Sequence, residues 1–269
     1  MMSPPLSRNS NISIQFHQGG NMSNEIIVKQ EGPILHITLN RPDDGNGVTD
    51  PMAREFTALI NQAHESCEMV VLRGAGKDFC VGRAVFTAPG SPNAIPEAYA
   101  RRAAYDVIFD AYWAVRRSPV PIVGVIQGRA MGFGLAVAAL CDVSFAGDAA
   151  TFNIPEMAHN IMPTMVMSSI FDRMNRNAIA WMTYSTDFIN AERALQYGIV
   201  STVVPAAKLE SEVAAFCDKM ANTPRPAIRG LKEYLRVAPS MDAQGGIDYA
   251  RNIHAVVNTA AEMKGKHRK

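Results

Sequence analysis

The stretch Pro121–Ala136, reading Pro-Ile-Val-Gly-Val-Ile-Gln-Gly-Arg-Ala-Met-Gly-Phe-Gly-Leu-Ala, constrains this chain more than any other. A β-branched apolar run ends at Gly128, glycines punctuate the residues after it, and Leu135–Leu140 is apolar on every side. That order predicts a buried strand, a tight turn and a buried helix whose first turn carries Gly132 and Gly134. The first amides of a helix have no partner within it, and glycine lets a ligand approach the backbone closely. Such a joint can hold an oxyanion on N–H groups at the positive end of a helix dipole. It is also the strand–helix joint of many α/β proteins, because glycine patterns recur by chance.

The rest of the chain repeats the theme. Ile26–Val28 and Ile34–Leu39 are strand-like around a Glu31-Gly32-Pro33 turn, with His36 on the solvent face of the second. Asp50-Pro51 is expected to cap a helix with Met52, Phe56, Leu59, Ile60 and Ala63 on one face. Met69–Leu72 is a short buried strand, and a second glycine-rich loop, Arg73–Ala84, leaves its end. That loop is no Walker motif, since its Gly-Lys is not followed by Ser or Thr. After a linker, Ala88–Pro96, one long helix is expected, with Ala100, Ala104, Val107, Ile108, Ala111 and Val115 inside. Asp142–Phe145 and Ile199–Val204 are further strands, helical patterns cover 164–185, and Asn190–Gly198 is a helix with an Asn cap and a glycine stop. After Pro205 only helical patterns remain, so parallel βαβ units with a helical appendage are expected. No glycine fingerprint comes after the first strand, which weakens a Rossmann-type nucleotide binder.

Composition narrows the class without choosing within it. The 269 residues are 48% hydrophobic and 19% charged, with a net charge of +1. This suits an ordinary globular protein of one large domain, or one plus a small appendage, and leaves no electrostatic footprint for nucleic acid or an anionic membrane. Cys67, Cys80, Cys141 and Cys217 show no paired spacing, which fits a reducing, cytoplasmic setting. Residues 1–23 lack periodicity and a signal-peptide core, and read as a disordered leader or a misassigned start.

Two glycine loops off strand ends, about fifty residues apart, could place backbone N–H groups on one oxygen. At this point the chain resembles the crotonase (enoyl-CoA hydratase/isomerase) superfamily over roughly residues 24–262. The pieces that carry the likeness are Ile37–Pro42, Phe79–Arg83, Gln127–Gly134, Cys141-Asp142, Phe152–Glu156 and Ala191–Val200, in that order and spacing. The resemblance implies an α/β fold with a crotonase-like (ββα)-repeat core over 24–205. A C-terminal helical region over 206–269 would serve trimerisation or cover the active site. It further implies an acyl-CoA substrate, a homotrimer or hexamer, no metal, and no cofactor beyond the coenzyme A carried by the substrate.

Motif matching places the two amides that hold the thioester oxygen on Arg83, after Gly82, and on Phe133, after Gly132. The family usually has glycine at the latter position; phenylalanine keeps the amide, provided the backbone does not need a positive φ. Hydratases of the family carry two glutamates. Here the first position is Ala136, while the second is Glu156, twenty residues on. A single glutamate suits a reaction in which one group moves a proton, such as shifting a double bond between C3 and C2, or a hydratase-lyase acting on an aryl-CoA. Thr164 stands where dienoyl isomerases and aryl-CoA dehalogenases place an aspartate, which argues against both. Arg41 matches the segment near the CoA adenine, and Lys232 a C-terminal-helix lysine that meets the CoA phosphates in some members. His159 could face the acyl pocket, and Asn160, Met162, Met165 and Met167 make that segment adaptable. The expectation is therefore an enoyl-CoA hydratase/isomerase-family enzyme with Glu156 as its acid/base. Against it stands a degenerate acyl-CoA-binding member with little turnover, which Ala136 and Phe133 would favour.

Overall fold

Strands buried on both faces read as continuous apolar runs, as Met69–Leu72 and Ile122–Ile126 do here. A computed structural model describes residues 24–84 and 97–264. The expected leader, 1–23, and the linker, Ala88–Pro96, lie outside them. A hairpin, β1 (Ile26–Glu31) and β2 (Ile34–Leu39), leads into α1 (Asp50–Ser66), then β3 (Met69–Gly74). Helices α2 (Ala98–Ala103) and α3 (Asp106–Arg117) precede β4 (Ile122–Ile126), β5 (Arg129–Met131) and α4 (Phe133–Leu140). Next come β6 (Val143–Gly147), β7 (Thr151–Asn153), α5 (Thr164–Ile170), α6 (Arg176–Ser185), β8 (Ile189–Asn190), α7 (Ala191–Gln196) and β9 (Thr202–Val204). The chain closes on α8 (Leu209–Ala221), α9 (Arg225–Val237) and α10 (Ala243–Thr259). Strand pairs succeeded by a helix recur, as the (ββα) expectation required.

The main sheet runs β1-β2-β3-β4-β6-β9, antiparallel at the first pair and parallel thereafter. Alternation along β3 and β4 divides the core between its faces. Val70, Leu72, Ile122 and Ile126 pack under α1, α3 and α4, while Met69, Val71, Val123 and Val125 pack with Leu209, Val213 and Cys217 of α8. The tail after Pro205 is helical as expected, yet α8 is a layer of the main core. Helices α9 and α10 lie outside that layer and meet closely: a Cβ built at Gly230 would lie 2.6 Å from Val257 Cγ2.

Three local expectations need correcting. The cap of α1 is Thr49, whose hydroxyl accepts from Met52 N at 3.2 Å; Asp50 and Pro51 are the first helical residues. The long helix is broken, because Tyr105 N donates to Arg102 O in a tight three-residue closure. Ala100 is exposed, and burial begins at Ile108, so the stripe lies on α3 with Tyr112 in it. The turn between β4 and α4 is itself partly a strand. There β5 pairs in parallel with β7, and β7 antiparallel with β8, in a small second sheet.

Candidate active site

That second sheet brings the two glycine loops together. Along the loop after β3, Phe79 N donates to Gln127 O and Cys80 N to Arg129 O, while Cys80 O accepts from Met131 N. Asp78 clamps the same edge, with Oδ1 accepting from Arg129 N and Nε and Oδ2 from the guanidinium at 2.7 Å. These charge-assisted bonds hold the Asp78 carboxyl below the usual range. Gly128 (φ +55°) is required at the crossing, since a Cβ there would lie 2.1 Å from Lys77 O.

The loop then pairs with the Gly45–Val48 segment: Val81 N donates to Gly45 O, Val48 N to Gly82 O, and Ala84 N to Val48 O. The Arg83 N–H is passed over and has no acceptor among the described residues. Its guanidinium turns away to Asp50 at 2.6 Å, so the residue contributes backbone to the site. On the facing loop, Gly132 N donates to Asn153 O, and Gly132 adopts φ 48°, ψ −111° to start α4. Phe133 becomes the first helical residue, with an amide that has no acceptor among the described residues. It is absent from the positive-φ residues, so the phenylalanine costs the backbone nothing. Gly134 permits the close approach, because a Cβ there would lie 2.2 Å from Cys80 O.

Glu156 completes the group. It opens the 3₁₀ turn Glu156–His159 after Pro155, and a Cβ built at Gly132 would sit 2.9 Å from its Oε1 and 3.8 Å from Gly82 Cα. Carboxylate and both glycine turns thus converge on one cavity, lined by Gly82, Arg83, Gly132, Phe133 and Glu156 and closed by Ile108, Ile161, Met162, Met165 and Val166. Glu156 Oε2 is buried with no partner among the described residues. Burial pushes the carboxyl above its ordinary 4.5, against smaller opposing pulls from its own backbone N–H and from His159. Glu156 is the one carboxylate among the described residues lining the cavity; Ala136 is fully buried in α4 and is not part of the lining.

Three expected site residues lie outside this cavity. His159 is exposed and outside the lining, reaching Glu156 only through its charge. Arg41 closes its own loop, donating to Gly47 O and Asp44 and pairing with Glu25. Lys232 is 8% exposed and donates to Asp142 Oδ2 at 2.6 Å, an oxygen that also accepts from Ile122 N. That ammonium ties α9 to the main sheet. Conversely, the sequence pattern did not single out Tyr112, which lines the cavity and stacks on Phe133 with centroids 5.2 Å apart. Its four-residue spacing from Ile108 was the available signal.

A strand–glycine–helix joint thus faces a second glycine loop over a buried glutamate on a two-sheet (ββα) frame. The backbone matches that of an enoyl-CoA hydratase from Mycobacterium smegmatis with a TM-score of 0.81 over 89% of this chain and 93% of that one, at 22% identity. The chain is 26% identical to an (E)-benzylidenesuccinyl-CoA hydratase of Thauera aromatica over 89% of its own length and 93% of the relative's. It is 29% identical to enoyl-CoA delta isomerase 2 of Rattus norvegicus, over 80% of this chain and 55% of that protein. The family model described as Enoyl-CoA hydratase/isomerase matches residues 29–268, and the chain belongs to that family.

Proposed function

We propose that this enzyme binds an acyl-CoA thioester with its carbonyl oxygen between the Arg83 and Phe133 amides and moves a proton with Glu156 alone. The observation that carries the reading is the convergence of two unpaired amides and one buried, unpaired carboxylate on a single cavity. The charge of a thioester enolate collects on one oxygen, and fixed N–H dipoles stabilise it without reorganising. From a 3-enoyl-CoA, Glu156 takes a proton at C2, and the electron pair moves onto the thioester oxygen to give a dienolate. The protonated Glu156 returns the proton at C4, and the double bond settles between C2 and C3. Burial suits the carboxyl for both halves, because a raised pKa makes it a better acceptor and still lets it release the proton.

Ala136 supports isomerisation over hydration. A second carboxylate at that position would help to hold the water, and a buried water typically needs about three hydrogen bonds. Coenzyme A enters as part of the substrate. The four cysteines are buried free thiols, in keeping with a reducing, cytoplasmic setting. The test is a panel of crotonyl-, 3-enoyl- and aryl-enoyl-CoA incubated with the protein and read by mass for added water and by NMR for the position of the double bond. Conversion of the 3-enoyl thioester without mass change is expected to outpace water addition to crotonyl-CoA; dominant hydration of crotonyl-CoA contradicts the single-glutamate mechanism.

A further inference from the structure

The acyl cavity holds one polar side chain that the proton transfer leaves idle. Among the described lining residues, Glu156, Arg83 and Tyr112 carry strongly polar side chains, and the Arg83 guanidinium is engaged by Asp50. Tyr112 is 5% exposed, and its hydroxyl makes no hydrogen bond among the described residues. Its ring is fixed by α3, which packs on α4, and by the stack on Phe133, whose backbone supplies one of the two amides. Tyr112 lines the same cavity as Glu156, Gly132 and Phe133. A hydroxyl on a cavity wall with no protein partner is free to bond an oxygen of the ligand.

We propose that Tyr112 is a specificity-determining residue, donating a hydrogen bond to an oxygen on the acyl chain, so that the preferred thioesters carry a keto or hydroxyl group beyond the thioester carbonyl. Burial, reinforced by the neighbouring Glu156 charge, keeps the phenol protonated and therefore a donor. Most of the remaining wall is apolar, with Ile108, Phe133, Ile161, Met162, Met165 and Val166. Apart from Glu156 and the backbone, an oxygen on the acyl chain would otherwise meet only apolar side chains. A site that offers a hydrogen bond discriminates against the analogue lacking the oxygen, because its own group is then left unpaired.

This inference rests on the acyl-CoA reading above, and its test separates the two. Binding of 3-oxobutyryl-CoA and of butyryl-CoA, neither of which has a double bond to move, is measured by calorimetry on the wild-type protein and on Tyr112→Phe. The wild type should favour the 3-oxo thioester by about five- to tenfold, the worth of one net hydrogen bond. Tyr112→Phe, which keeps the ring and its stack, should erase that preference while holding butyryl-CoA as tightly as before. A merely structural tyrosine would weaken both ligands together. Tight butyryl-CoA binding with no 3-oxo preference in the wild type, or an undiminished preference in Tyr112→Phe, overturns the role of Tyr112 and leaves the acyl-CoA reading standing. Failure of the wild type to bind either thioester overturns both.

Discussion

At the scale of single residues, the chemistry we propose turns on a carboxylate that burial works against. Because the folded pKa of Glu156 lies above the unfolded 4.5, the folded protein holds that proton more tightly than the unfolded chain. The associated stability is present below the unfolded pKa and is lost as pH rises through the folded one. Glu156→Gln cannot ionise and should escape the loss: it should melt above wild type near pH 7, and the gap should close below about pH 4. Thermal scans across that range check this, and a variant that melts lower at neutral pH contradicts a buried, unpaired carboxylate. By the same shift, the acid limb of kcat/KM should fall above pH 4.5. Glu156 was legible because proline, glutamate and a fixed distance from the glycine turn stand together in the sequence. The ties of Lys232 to Asp142 and of Arg41 to Asp44 and Gly47 O were not legible, since a solvated side chain and a paired one read alike in one dimension. Tyr112 was missed because an aromatic on a helix stripe reads as core, and by burial it is core; only its hydroxyl opens a second role.

At the scale of elements, the site depends on how closely two loops approach. Gly134 lies where the start of α4 passes the Cys80 carbonyl, so Gly134→Ala must push the loops apart. Overpacking of this kind costs about 1–3 kcal/mol, which a core of this size should survive. A displacement of about 1 Å between catalytic groups can cost on the order of 10²-fold in rate. Gly134→Ala should therefore fold, shown by a cooperative melt, and lose turnover far more than thioester binding. Unchanged kcat would mean that the spacing of the two amides is not what the glycine protects. The strand–glycine–helix joint was visible in the sequence because period and punctuation coincide at Gln127–Gly134. The small sheet was not visible. Its strands are two or three residues long, and Arg129–Met131 alternates only once, so pairing across distant segments, rather than local pattern, makes it a strand. The break between α2 and α3 was hidden for a related reason, since no glycine or proline marks Ala104-Tyr105.

At the scale of the whole molecule, the family frame was legible from six short segments in order, whereas the assembly was not. No described helix is long and apolar enough to cross a membrane. Helix α10 buries none of its residues in the single chain, and Leu231, Leu235, Ile247 and Val256 leave apolar surface open on α9 and α10. Apolar surface of that kind is what contacts between chains commonly use, and we propose that it serves the trimer or hexamer that the resemblance implies. Sedimentation equilibrium should give three or six times the 29.2 kDa chain mass; a stable monomer at micromolar concentration contradicts it. The central claim, that one carboxylate moves protons on a thioester held by two amides, is tested most directly by incubating 3-enoyl-CoA with wild type and Glu156→Gln in D₂O and reading the thioester by mass and NMR. Wild type should give a 2-enoyl product with no added water and deuterium confined to the carbons that exchange. In the variant, conversion should drop about 10²–10⁴-fold with thioester binding intact. Wild-type rates in Glu156→Gln, or no conversion by wild type, would contradict the claim.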